Sequence, residues 1–333
     1  MNRSLWISEG RVFALDQTLL PFERREFELT DPGVVAEAIT SMRVRGAPLI
    51  GIAAAFGLAL ALRSDPSALD AAHAALVATR PTAVNLAWAL DRVRSAVAGL
   101  APAARFERAW AEAGRILDED IAMCAAIGDH GLELLKAFKA PVNVLTHCNA
   151  GWLATGGWGT ALAPVYKAHE AGVPVHVWVD ETRPRAQGAS LTAWELGEAG
   201  VPHTLVTDTM AGHLMKTGRV DLCLVGSDRT TARGDVCNKI GTYLVALAAH
   251  DNGVPFYACV PTSSIDFTLN NGSEIPIEER SPEEVTHVRG QRVAPARTQA
   301  ANFAFDVTPA RLVTGIVTEH GVFKPSELGA VRA

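Results

Sequence analysis

After Pro141 the chain repeats one alternation: an apolar, β-branched run, a turn bearing glycine or an acid, then residues at helical spacing. The runs VNVLTH, VPVHVWVDE, HTLVTD, DLCLVGSD and PFYACV begin near residues 142, 173, 203, 221 and 255, mostly with helical stretches such as TAWELGEAG between them. Strands separated by helices are joined by right-handed crossovers, so the pattern predicts a largely parallel, Rossmann-like sheet. Ligands of such sheets gather beyond the carboxyl ends of the strands. The segments expected there are HCNAG, DETRPRAQG, TDTMAG, GSDRT and PTSSID. Cys148 and Asp228 both end strands and can face one pocket.

The first part of the chain reads differently. Alternation between Leu5 and Leu29 suggests two or three short strands, and Asp31-Pro32 is an N-cap followed by a first-turn proline opening the helix VVAEAITSM. Alanine-rich amphipathic segments continue to about residue 138. The expected fold is therefore α/β, in two domains. Residues 1–138 would form a small β-meander with a helical bundle, and residues 139–333 a Rossmann-like catalytic domain with a mostly parallel sheet. A hydrophobic share of 48% in 333 residues is ample for both cores.

The net charge of −6 argues against a nucleic-acid partner, because affinity for polyanions comes mainly from lysine and arginine. MNRSLWISEGRVF lacks the long apolar region of a secretory signal, and the alanine-rich run from Ala47 to Leu62 is bounded by charged residues. A soluble, cytoplasmic protein without a membrane partner is expected. The five cysteines are widely spaced, with no CxxC pair, so neither a disulfide framework nor a zinc site is expected. Cys223 and Cys259 lie in apolar runs and read as small buried hydrophobes.

The glycines at 151, 156, 157 and 159 do not form GxGxxG, so a dinucleotide site is not expected; they read as a turn that brings backbone close to an anionic ligand. Arg45-Gly46-Ala47-Pro48, Arg80-Pro81-Thr82 and Asn238-Lys239 each place a cation or an amide where the sequence predicts the opening of a helix, which together favour a phosphoryl ligand. Asp235 reads as a structural acid near a helix start, and His147 as a polar strand end with no ligand partner at metal spacing. Gln187 and Asn149 are loop amides able to bind sugar hydroxyls.

RVRGAPLIGIAAAFG, TRPTAVNLAWAL, LTHCNAG, DETRPRAQG, GSDRTTARGDVCNKIGTY and IPIEERSPEEV, in that order, closely resemble the methylthioribose-1-phosphate isomerase family. With ALDQTLLP before them and FDVTPARLVTGIVTEHG after, the resemblance covers essentially the whole chain. It implies conversion of 5-methylthioribose 1-phosphate to 5-methylthioribulose 1-phosphate in methionine salvage, by a homodimer that needs no cofactor or metal. The wider superfamily also holds ribose-1,5-bisphosphate isomerases and regulatory subunits of a translation-initiation exchange factor. The alternatives are thus another ribose 1-phosphate isomerase, including one for the 5-deoxy sugar, or a non-catalytic sugar-phosphate sensor. The family's catalytic positions fall on Cys148 and Asp228, and its substrate-binding positions on Arg45, Gly46, Ala47, Arg80, Gln187, Asn238 and Lys239. Ser227, Arg233 and Cys237 depart from its usual residues and remove no catalytic group.

The chemistry so implied needs an acid at the ring oxygen and control of the C2 hydrogen, because the phosphate on C1 blocks ordinary ring opening. Cys148 is expected to move a proton between C2 and C1 while Asp228 serves the ring oxygen and the 2-hydroxyl, with a hydride shift as the rival. A following helix N-terminus would lower the thiol pKa and apolar surroundings would raise it.

Overall fold

The computed structural model describes residues 3–332. Strands β1 (Leu5–Ser8), β2 (Arg11–Leu15) and β3 (Glu26–Glu28) form the expected antiparallel meander. Helix α1 (Pro32–Thr40) is capped as its sequence implied: Asp31 Oδ1 accepts from the backbone N–H groups of Gly33 at 2.8 Å and Val34 at 3.0 Å. Helices α2 (Ala47–Ser64), α3 (Leu69–Val77), α4 (Val84–Val97) and α5 (Pro102–Lys136) complete the bundle. α2 is apolar on every face and long enough to cross a membrane, but its residues Leu49 to Leu62 are all buried within the bundle. A helix apolar all round has to lie in a core.

The second part holds β4 (Val142–Thr146), α6 (Ala163–Glu170), β5 (Val175–Asp180), α7 (Ala193–Glu198), β6 (His203–Val206), α8 (Ala211–Lys216) and β7 (Leu222–Val225). There follow β8 (Arg229–Thr231), β9 (Val236–Lys239), α9 (Thr242–Asp251), β10 (Phe256–Cys259) and β11 (Ile265–Asp266). Last come α10 (Glu283–Thr286), the ribbon β12 (His287–Val288) with β13 (Gln291–Arg292), then β14 (Phe305–Thr308), β15 (Gly315–Thr318) and β16 (Gly321–Phe323). The main sheet has the order β16-β15-β10-β7-β4-β5-β6 and is parallel except at β16. Its two edge strands beyond β10 extend the five the sequence announced. The chain winds from β4 through β5 to β6, then returns to β7 on the other side of β4. The switch point of the topology therefore lies between β4 and β7, with Leu145 opposite Cys223. Cys148 and Asp228 leave the sheet at these two adjacent strand ends.

Two local expectations are corrected. Asn238-Lys239 does not open a helix: it ends β9, which pairs antiparallel with β14, Lys239 opposite Phe305 and Asn238 opposite Asp306. These strands belong to a second sheet, β11-β8-β9-β14, and α9 begins only after Gly241, whose φ of 104° needs a glycine. The stretch after Cys148 is likewise no helix but a loop closed by a bridge between Gly151 and Gly159, with one 3₁₀ turn at Trp152–Ala154; α6 starts at Ala163. The meander braces this loop, since Gln17 Nε2 donates to the Leu153 carbonyl at 2.7 Å and Ser4 Oγ to that of Trp152 at 2.7 Å. Cys223 and Cys259 are fully buried, as expected.

The segment carrying α10 is held down by Glu284, which accepts from Arg280 (2.8 Å), Arg185 (2.9 Å) and Asn302 (2.8 Å). Burial alone would raise the Glu284 pKa, yet these donors outweigh it and take the carboxyl from an ordinary 4.5 down to about 2. A folded pKa below the unfolded one gives stability that is complete above the unfolded value and lost as pH falls through the folded one. Glu284→Gln is thus expected to cost about 2 kcal/mol at neutral pH. The gap to wild type should narrow as pH falls from 4.5 toward 2, read by urea denaturation at stepped pH. A gap independent of pH would show that the charge of Glu284 contributes nothing.

Candidate active site

Beyond the ends of β4 and β7 lies a pocket, and Arg45, Gly46, Ala47, Arg80, Cys148, Gln187, Asp228, Asn238 and Lys239 all line it. The first four come from the helical part and the others from the second part of the chain. Gly46 caps α2 with φ 100°, and a Cβ there would lie 2.5 Å from the Ala154 Cα, so only glycine fits. No side chain caps this helix, which leaves its first N–H groups and the positive end of its dipole directed at the pocket.

Cys148 occupies the left-handed region at φ 69°, at a cost of about 1 kcal/mol for a residue other than glycine. Two threonines hold it: its N–H donates to Thr182 Oγ1 at 2.8 Å, and its carbonyl accepts from Thr192 Oγ1 at 2.7 Å. The thiol is buried, and burial raises its pKa above the ordinary value. Arg45 and Lys239 oppose the rise and Asp228 adds to it. The opposing influence is therefore a pair of cations; the helix expected after Cys148 is absent. At neutral pH the resting residue is a thiol.

Burial also raises the pKa of Asp228, against Lys239, Arg80 and Arg45, and with help from Glu278. Its backbone N–H donates to the Cys237 carbonyl at 2.9 Å, fixing the turn after β7. Arg80 pairs with Glu278 at 2.7 Å, whereas Lys239 lies over the Phe305 ring at 4.3 Å and forms no ion pair among the described residues. Arg45 places one terminal nitrogen on Asn149 Oδ1 and the other 3.0 Å from the Asn149 carbonyl oxygen. Burial pulls the pKa values of Arg45 and Lys239 down, and Cys148 and Asp228 oppose the fall at both. Three cations around one carboxylate suit a phosphorylated ligand.

Several side chains serve other ends than the sequence suggested. Asn149 is not available to a sugar: its Nδ2 donates to Thr192 Oγ1 at 3.1 Å and Glu195 Oε1 at 2.9 Å. None of the glycines at 151, 156, 157 and 159 lines the pocket. Gly151, Gly156 and Gly159 are packing positions, since a Cβ would fall 1.5 Å from Glu195 Oε1 at Gly151, 2.7 Å from Leu117 Cδ1 at Gly156 and 2.3 Å from the Gly151 Cα at Gly159. His147 does have a carboxylate partner: Asp180 Oδ2 is 3.1 Å from Nδ1, while Nε2 donates to the Ile240 carbonyl at 2.8 Å. With Asp208 these two could offer ligand atoms within 4.8 Å of one another. Both ring nitrogens are engaged, however, and Asp208 accepts from the N–H groups of Thr182 and Arg183, so the cluster is a hydrogen-bonded brace. Asp235 is structural, though no helix follows it; it stitches the turn to the Gly272 and Ala310 N–H groups, each at 2.8 Å.

Glu195 carried no signal in the sequence, where it reads as one acid of an amphipathic helix. It is fully buried, accepts from Asn149 and from the Leu153 N–H at 3.1 Å, and burial pushes its pKa up to about 8.

The profile of the Initiation factor 2 subunit family matches residues 43–325. A methylthioribose-1-phosphate isomerase of Methylobacterium nodulans is 60% identical, the match covering 96% of this chain and 92% of that one. The crystal structure of 5-methylthioribose 1-phosphate isomerase from Pyrococcus horikoshii superposes with a TM-score of 0.90 at 42% identity, over 100% of this chain and 95% of that one. That of translation initiation factor eIF-2B, subunit delta, from A. fulgidus gives 0.86 at 39% identity, over 98% and 97%. At such identity over nearly the full length of both chains, this chain belongs to the methylthioribose-1-phosphate isomerase family, within the wider Initiation factor 2 subunit family.

Proposed function

We propose that this protein is an aldose–ketose isomerase that converts 5-methylthioribose 1-phosphate to 5-methylthioribulose 1-phosphate in methionine salvage. It acts in the cytoplasm as a homodimer, through a Rossmann-like catalytic domain, residues 139–333, closed by the domain of residues 1–138. The observation that carries the reading is the meeting of Cys148 and Asp228 at the switch point, in one pocket with Arg45, Arg80 and Lys239.

The resting pair is a thiol on Cys148 and a carboxylate on Asp228, and burial has raised the pKa of both groups. Asp228 takes the Cys148 proton and passes it to the ring oxygen as the bond from C1 to that oxygen breaks. The thiolate, sustained by Arg45 and Lys239, removes the C2 proton, and that electron pair forms the C1–C2 double bond. Cys148 then returns a proton to C1 while Asp228 removes the 2-hydroxyl proton, leaving a carbonyl at C2. A last transfer from Asp228 to Cys148 restores the start. The cations and the α2 N-terminus hold the phosphate throughout, so alignment contributes alongside proton transfer.

Incubation with 5-methylthio-, 5-deoxy- and 5-phosphoribose 1-phosphate in deuterated water, followed by NMR, tests both substrate and route. The expected result is fastest turnover of the methylthio sugar, with deuterium entering at C1. Product wholly protiated at C1, with no exchange in recovered substrate and internal return excluded by isotope-labelled substrate, would replace proton transfer by a hydride shift. Binding of all three sugars with no turnover would make the pocket a sensor.

A further inference from the structure

We infer that Glu195 is a positioning residue that, through Asn149, fixes the Arg45 guanidinium to receive the substrate phosphate. This rests on the reading above that Arg45 binds that phosphate. Arg45 has no carboxylate in contact among the described residues; its hydrogen-bond acceptors there are the side-chain and main-chain oxygens of Asn149. A guanidinium has five N–H donors, and two are spent here. The others have no hydrogen-bond partner among the described residues, and Arg45 lines the pocket.

The nearest acid stands one amide further back. Asn149 Nδ2 lies 2.9 Å from Glu195 Oε1, which turns Oδ1 toward Arg45; only this orientation of the amide makes both contacts donor to acceptor. Glu195 in turn is fixed by the Leu153 N–H at 3.1 Å. A site that needed only an acceptor for Leu153 could use a single oxygen, whereas the two oxygens of Glu195 meet two donors, Asn149 Nδ2 and the Leu153 N–H. Glu195 and Arg45 each favour the charged form of the other. A carboxylate in direct contact would occupy the donors that the phosphate needs; one amide away, it orients the cation and leaves them free.

The surroundings are built to keep Glu195 there. Gly151 is the residue that makes room for it, since any Cβ would lie 1.5 Å from Oε1. Thr192, at the end of the π-helical segment Gly188–Thr192, stands one helical turn before Glu195 and binds both the Cys148 carbonyl and Asn149 Nδ2. One face of this element thus positions the thiol and the phosphate clamp together.

The test uses calorimetric binding of inorganic phosphate together with steady-state kinetics of the methylthio sugar phosphate. Glu195→Gln is expected to raise the phosphate Kd and the KM about tenfold, the scale of a lost hydrogen bond to a charged network, with kcat changed less than about threefold. The introduced amide has a single oxygen where the carboxylate offers one to Asn149 and one to Leu153, so it turns an N–H toward one of these two donors. Because Glu195 acts through Asn149, Glu195→Gln introduced into Asn149→Ala should add less than about threefold to the Kd that Asn149→Ala already shows. A structural role alone would show as lost thermal stability with no split between KM and kcat and with additive effects of the two substitutions. An unchanged Kd in Glu195→Gln, or additive effects in the double variant, overturns the inference. Should Glu195→Gln not fold, Glu195→Asp, whose shorter side chain withdraws from Asn149, takes its place in the same comparison. Arg45→Ala is measured alongside: if it leaves phosphate affinity untouched, the reading of Arg45 has failed, whereas an effect in Arg45→Ala without one in Glu195→Gln removes only the role of Glu195.

Discussion

Asp228→Asn should lower kcat by about 10³-fold while the protein melts no earlier than wild type. The amide is nearly the size of the carboxyl but cannot titrate, so it can neither relay the Cys148 proton to the ring oxygen nor take one from the 2-hydroxyl. Stability should move the other way. Burial raises the Asp228 pKa, which means that the folded protein bears a cost for ionising it above that pKa. Asparagine removes the cost and keeps the backbone N–H on the Cys237 carbonyl. Loss of turnover beside an unchanged or higher thermal midpoint separates chemistry from folding. A rate within tenfold of wild type would show that the proton transfers do not pass through Asp228.

Cys148→Ser is expected to cost about 10²- to 10³-fold in kcat with little change in KM. The threonines that hold residue 148 bind its backbone, so the turn survives the exchange of sulfur for oxygen. What changes is acidity: a hydroxyl ionises so far above neutrality that Arg45 and Lys239 cannot sustain its conjugate base as they do a thiolate. Cys148→Ala gives the reference for no proton carrier at all. Serine and alanine variants with similar rates would support proton transfer by the thiol. A serine enzyme near the wild-type rate would reduce residue 148 to a polar contact.

The parallel sheet was legible because strand-and-helix alternation leaves few topologies, and strand ends then point to HCNAG and GSDRT without knowledge of any contact. The residues that the family resemblance assigned to the site all line one pocket, but Arg45, Gly46, Ala47 and Arg80 reach it from the helical part, which the strand pattern does not indicate. Asn238 and Lys239 were misplaced on a helix because a buried strand ending in two polar residues resembles a cap, and its partner Phe305–Thr308 lies far along the chain. Neither hydrophobic period nor turn chemistry carries a pairing of that range. His147 looked solitary because Asp180 comes from another strand. Asn149 looked like a sugar ligand because its side-chain partners come from the entry to α2 and from the helical segment after DETRPRAQG. Glu195 was invisible for a related reason: periodicity separates the inner from the outer face of a helix but does not reveal which inward acid meets an amide.

The pocket's position across the two parts of the chain also couples occupancy to cohesion. Arg45 and Arg80 reach it from the helical part, Asp228 and Lys239 from the sheets, so a phosphorylated ligand is a removable piece of the mortar between them. By mass action such a piece adds RT ln(1 + [L]/Kd) to the work of parting the halves, about 2.7 kcal/mol at a hundredfold excess over Kd. The metabolite supply then sets how tightly the molecule is closed, quite apart from how fast it turns over.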